Sequence, residues 1–347
     1  MPPGKGMNPP AACLVLIYMK TILAILTTLL VAFGCAAERL VMLPYGDMDS
    51  WVTRNIKESR LLGGHTVQCY AVGPDRTING DTPYTNLGGS PWASSNVMAK
   101  VHGITKVSNS LYPDTRPGKG KCAKLTSDME HCCALGIINI DVFVAGTLFL
   151  GEMIEPVKST SDPYKKMEMG IPFTERPTAL VYDYRVTVPP GAGRIYSSGF
   201  GGKKHLRGTD SAEVFIILQR RWEDSSGKIH AKRVGTGREL FSRSSEGWVN
   251  SHHLTVHYGD ITGEPYFRSY MGLIPRDKSY CARNSRGEMV PVVEEGWDDA
   301  DATPTHMIVM FSAGSGEPFT GTPGLTLWVD NVRLAYPDGG DVAENEL

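Results

Sequence analysis

A chain of 347 residues that is 41% hydrophobic and 21% charged can bury a substantial core. Its formal net charge of −2, with no basic run interleaved with aromatics, argues against nucleic acid as a partner and against general attraction to anionic lipid. The 38 glycines and 23 prolines favour many turns and short strands over long helices.

Residues 1–35 read as an N-terminal extension plus a secretory signal. Met19-Lys20 is followed by TILAILTTLLVAF and then Gly34-Cys35. A positive residue, a short apolar stretch and a small residue before the boundary describe an export signal, and the stretch is shorter than the ~20 residues of a membrane-spanning helix. The preceding segment reads as an extension ahead of a second start at Met19. Ala32-Phe33-Gly34-Cys35 resembles a bacterial lipobox, which makes Cys35 the expected lipidation site; ordinary cleavage near Ala36-Ala37 is the alternative. Either way the chain is expected to be exported to the cell envelope. Without Cys13 and Cys35, Cys69, Cys122, Cys132, Cys133 and Cys281 remain, an odd number with no CxxC pair. That leaves both buried thiols and a disulfide from Cys122 open.

The rest divides into one expected domain, residues 36–336, and an acidic, disordered tail, 337–347. Strands are expected at 66–72 (TVQCYAV) and 97–107, with a glycine-, proline- and asparagine-rich loop at 79–95 between them. The apolar run 134–150 (ALGIINIDVFVAGTLFL) is β-branched, aromatic and punctuated by glycine, which predicts two core strands rather than a helix. Residues 179–188 (ALVYDYRVTV) alternate as a half-buried strand. Residues 191–210 read as a basic, solvated loop. Further strands are expected at 212–219, 248–258, 266–274 and 305–311, with a charged insertion at 278–301.

The last strand, 324–336 (GLTLWVDNVRLAY), carries the clearest structural constraint. Leu325, Leu327 and Val329 share one face, and Val332, Leu334 and Tyr336 continue after a kink or bulge at Asp330-Asn331. An acidic residue between two apolar strand runs is costly to bury alone, so Asp330 is expected to meet backbone donors, a metal ion or a basic side chain. Residues 46–51 (GDMDSW), near the start of the mature chain, are expected beside it. This makes Asp47, Asp49 and Asp330 candidate ligands of a structural Ca2+.

Catalytic constellations are not visible. His252, His253 and His257 lie in an alternating, strand-like segment, where four residues span ~13 Å, too far for two of them to share one zinc. No GxSxG elbow occurs. Carboxylates such as Glu152, Asp183, Glu213, Glu223, Asp260 and Glu264 are plentiful, yet nothing in the sequence pairs two of them as a glycosidase requires. Aromatics in or beside loops (Trp92, Trp222, Trp248 and Trp297) are the candidate sugar-stacking residues. Trp51 and Trp328, within the terminal strands, are expected in the core.

Three stretches carry a family resemblance. GIPFTERPTALVYDYRV (170–186), AGTLFLGEM (145–153) and FSAGSGEPFTGTPGLTLWVDNVRLAY (311–336) are similar to signatures of the putative carbohydrate metabolism domain. The resemblance implies an all-β antiparallel sandwich of jelly-roll type, like a carbohydrate-binding module, in an exported lipoprotein. It departs from the family at Asn331, where a second aspartate is usual, and in the longer 278–301 segment. The expected function is carbohydrate binding or accessory work on an oligo- or polysaccharide, without catalysis, with membrane contact through a lipid anchor only. The alternatives are a glycoside hydrolase with its carboxylates on the concave sheet, and a structural or adhesive surface protein.

Overall fold

The computed structural model describes residues 38–338, except 102, 135–137, 160, 162, 192, 200–201 and 316, and describes the backbone alone at 132–134, 138 and 139. The export signal, Cys35 and most of the acidic tail lie outside the described residues. Among the described residues every regular element is a strand or a 3₁₀ turn, so the all-β expectation holds.

One large sheet has the final strand, Thr326–Pro337, at its centre. Gly120–Ala134 and Ala179–Thr187 flank it, with Ile138–Ala145 and Val249–Thr255 outside them. Glu38–Met42 also pairs with the final strand, Leu40 opposite Ala335, so the two ends of the described chain lie together; of the stretch expected there, 46–51, the Gly46 carbonyl accepts the Val332 N–H, whereas Trp51–Lys57 pairs with Thr66–Val72. A bulge falls at Asp330-Asn331: Val181 pairs with Arg333, but Asp183 pairs with Asp330, and Asn331 takes a φ of 52°. The extra residue restores the alternation. Leu325, Leu327 and Val329 before it, and Val332, Leu334 and Tyr336 after it, all enter the same core.

The second large sheet has ten strands and closes on itself. From His306–Ser312 the order runs through Ala212–Glu223, Ile229–Phe241, Met289–Trp297, Cys281–Arg283, Met167–Met169 and Thr147–Met153. Thr147–Met153 then pairs back onto His306–Ser312, Leu148 opposite Phe311, completing a ring of seven strands. Two of its contacts, Ile229–Phe241 with Met289–Trp297 and Met167–Met169 with Cys281–Arg283, are parallel. A purely antiparallel arrangement is therefore corrected. So is the reading of 278–301 as an insertion, because its strands are needed to close the ring.

Strand alternation divides the packing. Val214, Ile216 and Leu218 join Val309 and Phe311 in a core shared with Leu180, Tyr182 and Val329 of the other sheet. Their neighbours Phe215 and Ile217 face the opposite way, onto Phe149, Met169, Ile308 and Met310. Residues 266–274, expected as a strand, instead form a loop with a 3₁₀ turn at Ser269–Met271. The apolar run 134–150 forms the two expected strands, Ile138–Ala145 and Thr147–Met153, with the break at Gly146. A Cβ at Gly146 would lie 2.4 Å from the Ser110 carbonyl, so the two backbones can approach only at glycine. Part of 191–210 is also ordered into strands, Arg194–Tyr196 and Lys204–Leu206, which pair with each other; Arg194–Tyr196 also pairs with Thr320–Gly321.

Candidate functional site

A cleft of about 1140 Å³ opens at one end of the strand ring. One side is formed by the hairpin of Val97–Val101 and Ile104–Ser108 together with Ile138–Ala145. The other carries Met153, Tyr164, Met167, Ile274 and Tyr280. Hairpin alternation explains how its first side arises. Met98 and Val107 point inward onto Ile56 and Cys69, which leaves Val97, Val101 and Ile104 lining the cleft.

Charge is concentrated at one part of the lining. Glu213, 3% exposed, pairs with Arg238, whose Nε donates to Glu213 Oε1 at 2.6 Å. Burial pushes the Glu213 carboxyl above its ordinary range, opposed by the Arg238 charge and hydrogen bond and reinforced by Asp210. Tyr280 stacks on Phe215 at 6.2 Å and meets Tyr164 edge-on at 6.0 Å. Burial raises both phenols, Tyr164 to about 12, so both hydroxyls stay protonated near neutral pH and can donate. Lys278 pairs with Glu317 at the cleft, and Lys106 bridges Glu58 and Glu130 at 3.7 and 3.9 Å. Such a lining can offer stacking faces, hydroxyl donors and charged acceptors to a polyhydroxyl ligand.

The tryptophans expected to bind sugar do not converge, and none lines this cleft. Trp92 is fully buried, packing on Phe311 and donating Nε1–H to the Pro44 carbonyl at 2.8 Å. It has no face to offer a ligand; the loop before it turns the ring inward, and the expectation of a sugar platform there is corrected. Trp248 is half-buried under the Arg116 guanidinium at 4.2 Å, and Trp297 is half-buried with Arg233 5.6 Å from its ring. Trp222, 41% exposed, stacks one face on His230 at 5.5 Å. Trp51 and Trp328 are in the core, as expected.

The three aspartates proposed for Ca2+ are engaged separately. Asp330 and Asp183 share Arg116 Nη1 at 2.5 and 2.7 Å. Asp49 Oδ1 accepts the Lys121 N–H at 2.6 Å, and Asp47 Oδ1 accepts the Asp49 N–H at 3.4 Å. Of the partners expected for Asp330, a basic side chain and a backbone donor are both present, the Asn331 N–H reaching Oδ1 at 2.8 Å. Among the described residues no group of three or more His, Cys, Asp or Glu is arranged to hold a metal. The histidine segment is likewise occupied by pairing: His252 Nε2 meets both Glu239 oxygens at 2.9 Å and His253 Nε2 meets Glu38 at 2.9 Å.

Of the carboxylates weighed as glycosidase candidates, Glu213 is the one that lines the cleft. Tyr280 sits in the segment read as an insertion, and Tyr164 in a stretch to which the sequence assigns no element. A usable signal was present in the hairpin: both faces of 97–107 carry aliphatic residues, although only one can pack on the body.

None of the curated proteins matches this chain. Among solved structures, a putative glycoside hydrolase from Bacteroides thetaiotaomicron is 18% identical over 82% of this chain and 70% of its own, with a TM-score of 0.43. A putative glycoside hydrolase from Bacteroides vulgatus is 13% identical over 85% of this chain and 94% of its own, with a TM-score of 0.40. A carbohydrate-binding module specific for non-crystalline cellulose is 11% identical over 73% and 93%, with a TM-score of 0.25. Residues 75–254, just over half the sequence, match the family model of the putative carbohydrate metabolism domain, and the chain belongs to that family.

Proposed function

We propose that this protein is an exported, lipid-anchored carbohydrate-binding accessory protein of the cell envelope, anchored through Cys35, that holds an oligo- or polysaccharide in the cleft without cleaving it. The paired large sheets are read as a sandwich of the carbohydrate-binding type, with one sheet closed into a ring. The observation that carries the assignment is the Glu213–Arg238 pair in a cleft that also presents Tyr164 and Tyr280. Membership of a carbohydrate-related family supports it. Charged acceptors and donors fixed beside phenol rings suit sugar hydroxyls and the apolar C–H faces of pyranose rings.

A glycoside hydrolase is the second reading, favoured by one feature. A carboxyl raised by burial is what a general acid requires, and Glu213 has that character. Hydrolysis needs a second carboxyl ~5 to 9.5 Å away, and Glu130 and Glu317 are the other carboxylates lining the cleft. A glycan-array screen of the purified protein, followed by product analysis on every hit, tests both. Binding with the glycan recovered intact is the expected result. Shortened products would replace it with the hydrolase, and silence across the array would remove the glycan assignment for the sugars displayed.

A further inference from the structure

The side of the cleft formed by the hairpin and Ile138–Ala145 is chemically unlike a sugar platform. Val97, Val101 and Ile104 of the hairpin and Ile140, Val142 and Val144 of the neighbouring strand all line it, and all are only half-buried. Sugars stack on flat aromatic rings, whereas a stripe of branched aliphatic side chains gains by covering an alkyl chain. The cleft's volume, about 1140 Å³, lies at or beyond the upper end of the ~300–1,000 Å³ usual for small-molecule sites, leaving room for more than a short glycan.

Polar groups in the same lining complement this wall. Beside Glu213–Arg238 and Lys278–Glu317 the cleft presents Arg194, whose Nε is buried and has no hydrogen-bond partner among the described residues. A buried guanidinium N–H without an acceptor is costly, and a rotation of the Arg194 side chain toward the cleft would let a ligand oxygen satisfy it. The cleft therefore combines an uncovered aliphatic wall with an unsatisfied donor and two ion pairs.

We infer that the ligand is an amphiphilic saccharide, one bearing an acyl or alkyl chain, with the chain along the Val97–Ile104–Val142 wall and the sugar at Glu213, Arg238 and Arg194. This deepens the glycan-binding proposal and rests on it. Such a ligand would be compatible with a protein tethered at a lipid surface.

The test is calorimetric titration of the purified full chain with maltose and with hexyl, octyl and decyl β-maltoside, each below its micelle concentration, and with decanoate as a chain without a sugar. Affinity should tighten up to roughly fourfold per added methylene while the chain stays in the cleft. That dependence should flatten in Val142→Asp and Ile104→Asp. Because the chain-length series is read on the wild-type protein, a variant that fails to fold does not decide the result. Equal affinity for maltose and decyl maltoside would overturn the inference and leave glycan binding standing. Decanoate binding as tightly as decyl maltoside would overturn both. No binding by any maltoside would also overturn the inference.

Discussion

Arg116 and Asp330, 214 residues apart in sequence, meet at 2.5 Å, and the same guanidinium nitrogen reaches Asp183 at 2.7 Å. The three side chains are 4%, 1% and 8% exposed. One cation between two buried carboxylates holds the bulge of the last strand against its neighbour, with Asn331 Nδ2 and the Ser251 N–H also donating to Asp183. The bulge in turn returns Val332, Leu334 and Tyr336 to the core.

Removing the cation should therefore cost far more than the pair contributes. Arg116→Met leaves Asp330 buried without a cation and Asp183 with only Arg333, 3.6 Å away, and is expected to lower unfolding free energy by about 3–5 kcal/mol. Chemical denaturation at pH 7 measures it. Both carboxyls would then bind protons more tightly than they do in the wild-type fold, so the deficit should shrink as pH falls. EDTA is expected to leave the wild-type Tm unchanged, because Arg116 supplies the positive charge opposite Asp330. A chelator-dependent drop in Tm would contradict this account.

A second pH effect centres on His306. Burial, and then the charge of Arg221, depress its pKa from 6.5 to about 4. The unfolded chain takes up this proton first as pH falls. The stability tied to neutral His306 is thus full above about 6.5 and is lost progressively toward about 4. The loss is roughly 3 kcal/mol at most, since each pKa unit is worth about 1.4 kcal/mol. His306→Gln should flatten the stability profile between those limits. An unchanged profile in the variant would assign the acid sensitivity elsewhere.

Two tryptophans that look alike in the sequence should behave oppositely. Trp92→Ala removes a fully buried ring and should destabilise the fold by about 3–5 kcal/mol. Its effect on ligand affinity, per folded molecule, should be small. Trp222→Ala removes a ring that is 41% exposed and should change stability by only about 0.5 kcal/mol. Thermal melts alongside the binding assay separate the two. If the cleft is the site, Trp222→Ala should also leave affinity unchanged.

What was readable in the sequence follows local alternation. The spacing places Thr66–Val72 and Ala179–Thr187 to within a residue, although the latter is buried on both faces, Leu180 and Tyr182 in the shared core and Ala179 and Val181 against Ala335. The Asp330-Asn331 bulge was readable because a carboxylate interrupts two runs that must share one face. Long-range pairing was not. Nothing local in 278–301 says that it closes a ring with Ile229–Phe241 and Met167–Met169, and a short parallel contact leaves no periodic trace. The cleft was hidden for the same reason, since Glu213, Tyr164 and Tyr280 are brought together only by ring closure. Trp92 was misplaced because glycine and proline around an aromatic mark a loop without saying which way the ring points.

Glu213 offers the most direct test of the site. Glu213→Gln keeps its shape but leaves Arg238 without its carboxylate partner, so some stability should be lost and affinity is read per folded molecule. Its charged hydrogen bonds to a ligand should be lost. Those are worth about 1.5–3 kcal/mol, a fall in affinity of roughly ten- to a hundredfold. In the wild-type protein the carboxylate takes up a proton at a pH above the ordinary 4.5 of a glutamate, so affinity should decline as pH falls through that raised value. The glutamine variant should show no such decline. Calorimetric titration with an array-identified glycan, across pH and in both proteins, reads the two effects together. Equal affinity and equal pH profiles would move the glycan out of this cleft, leaving the exposed face of Trp222 as the next place to look.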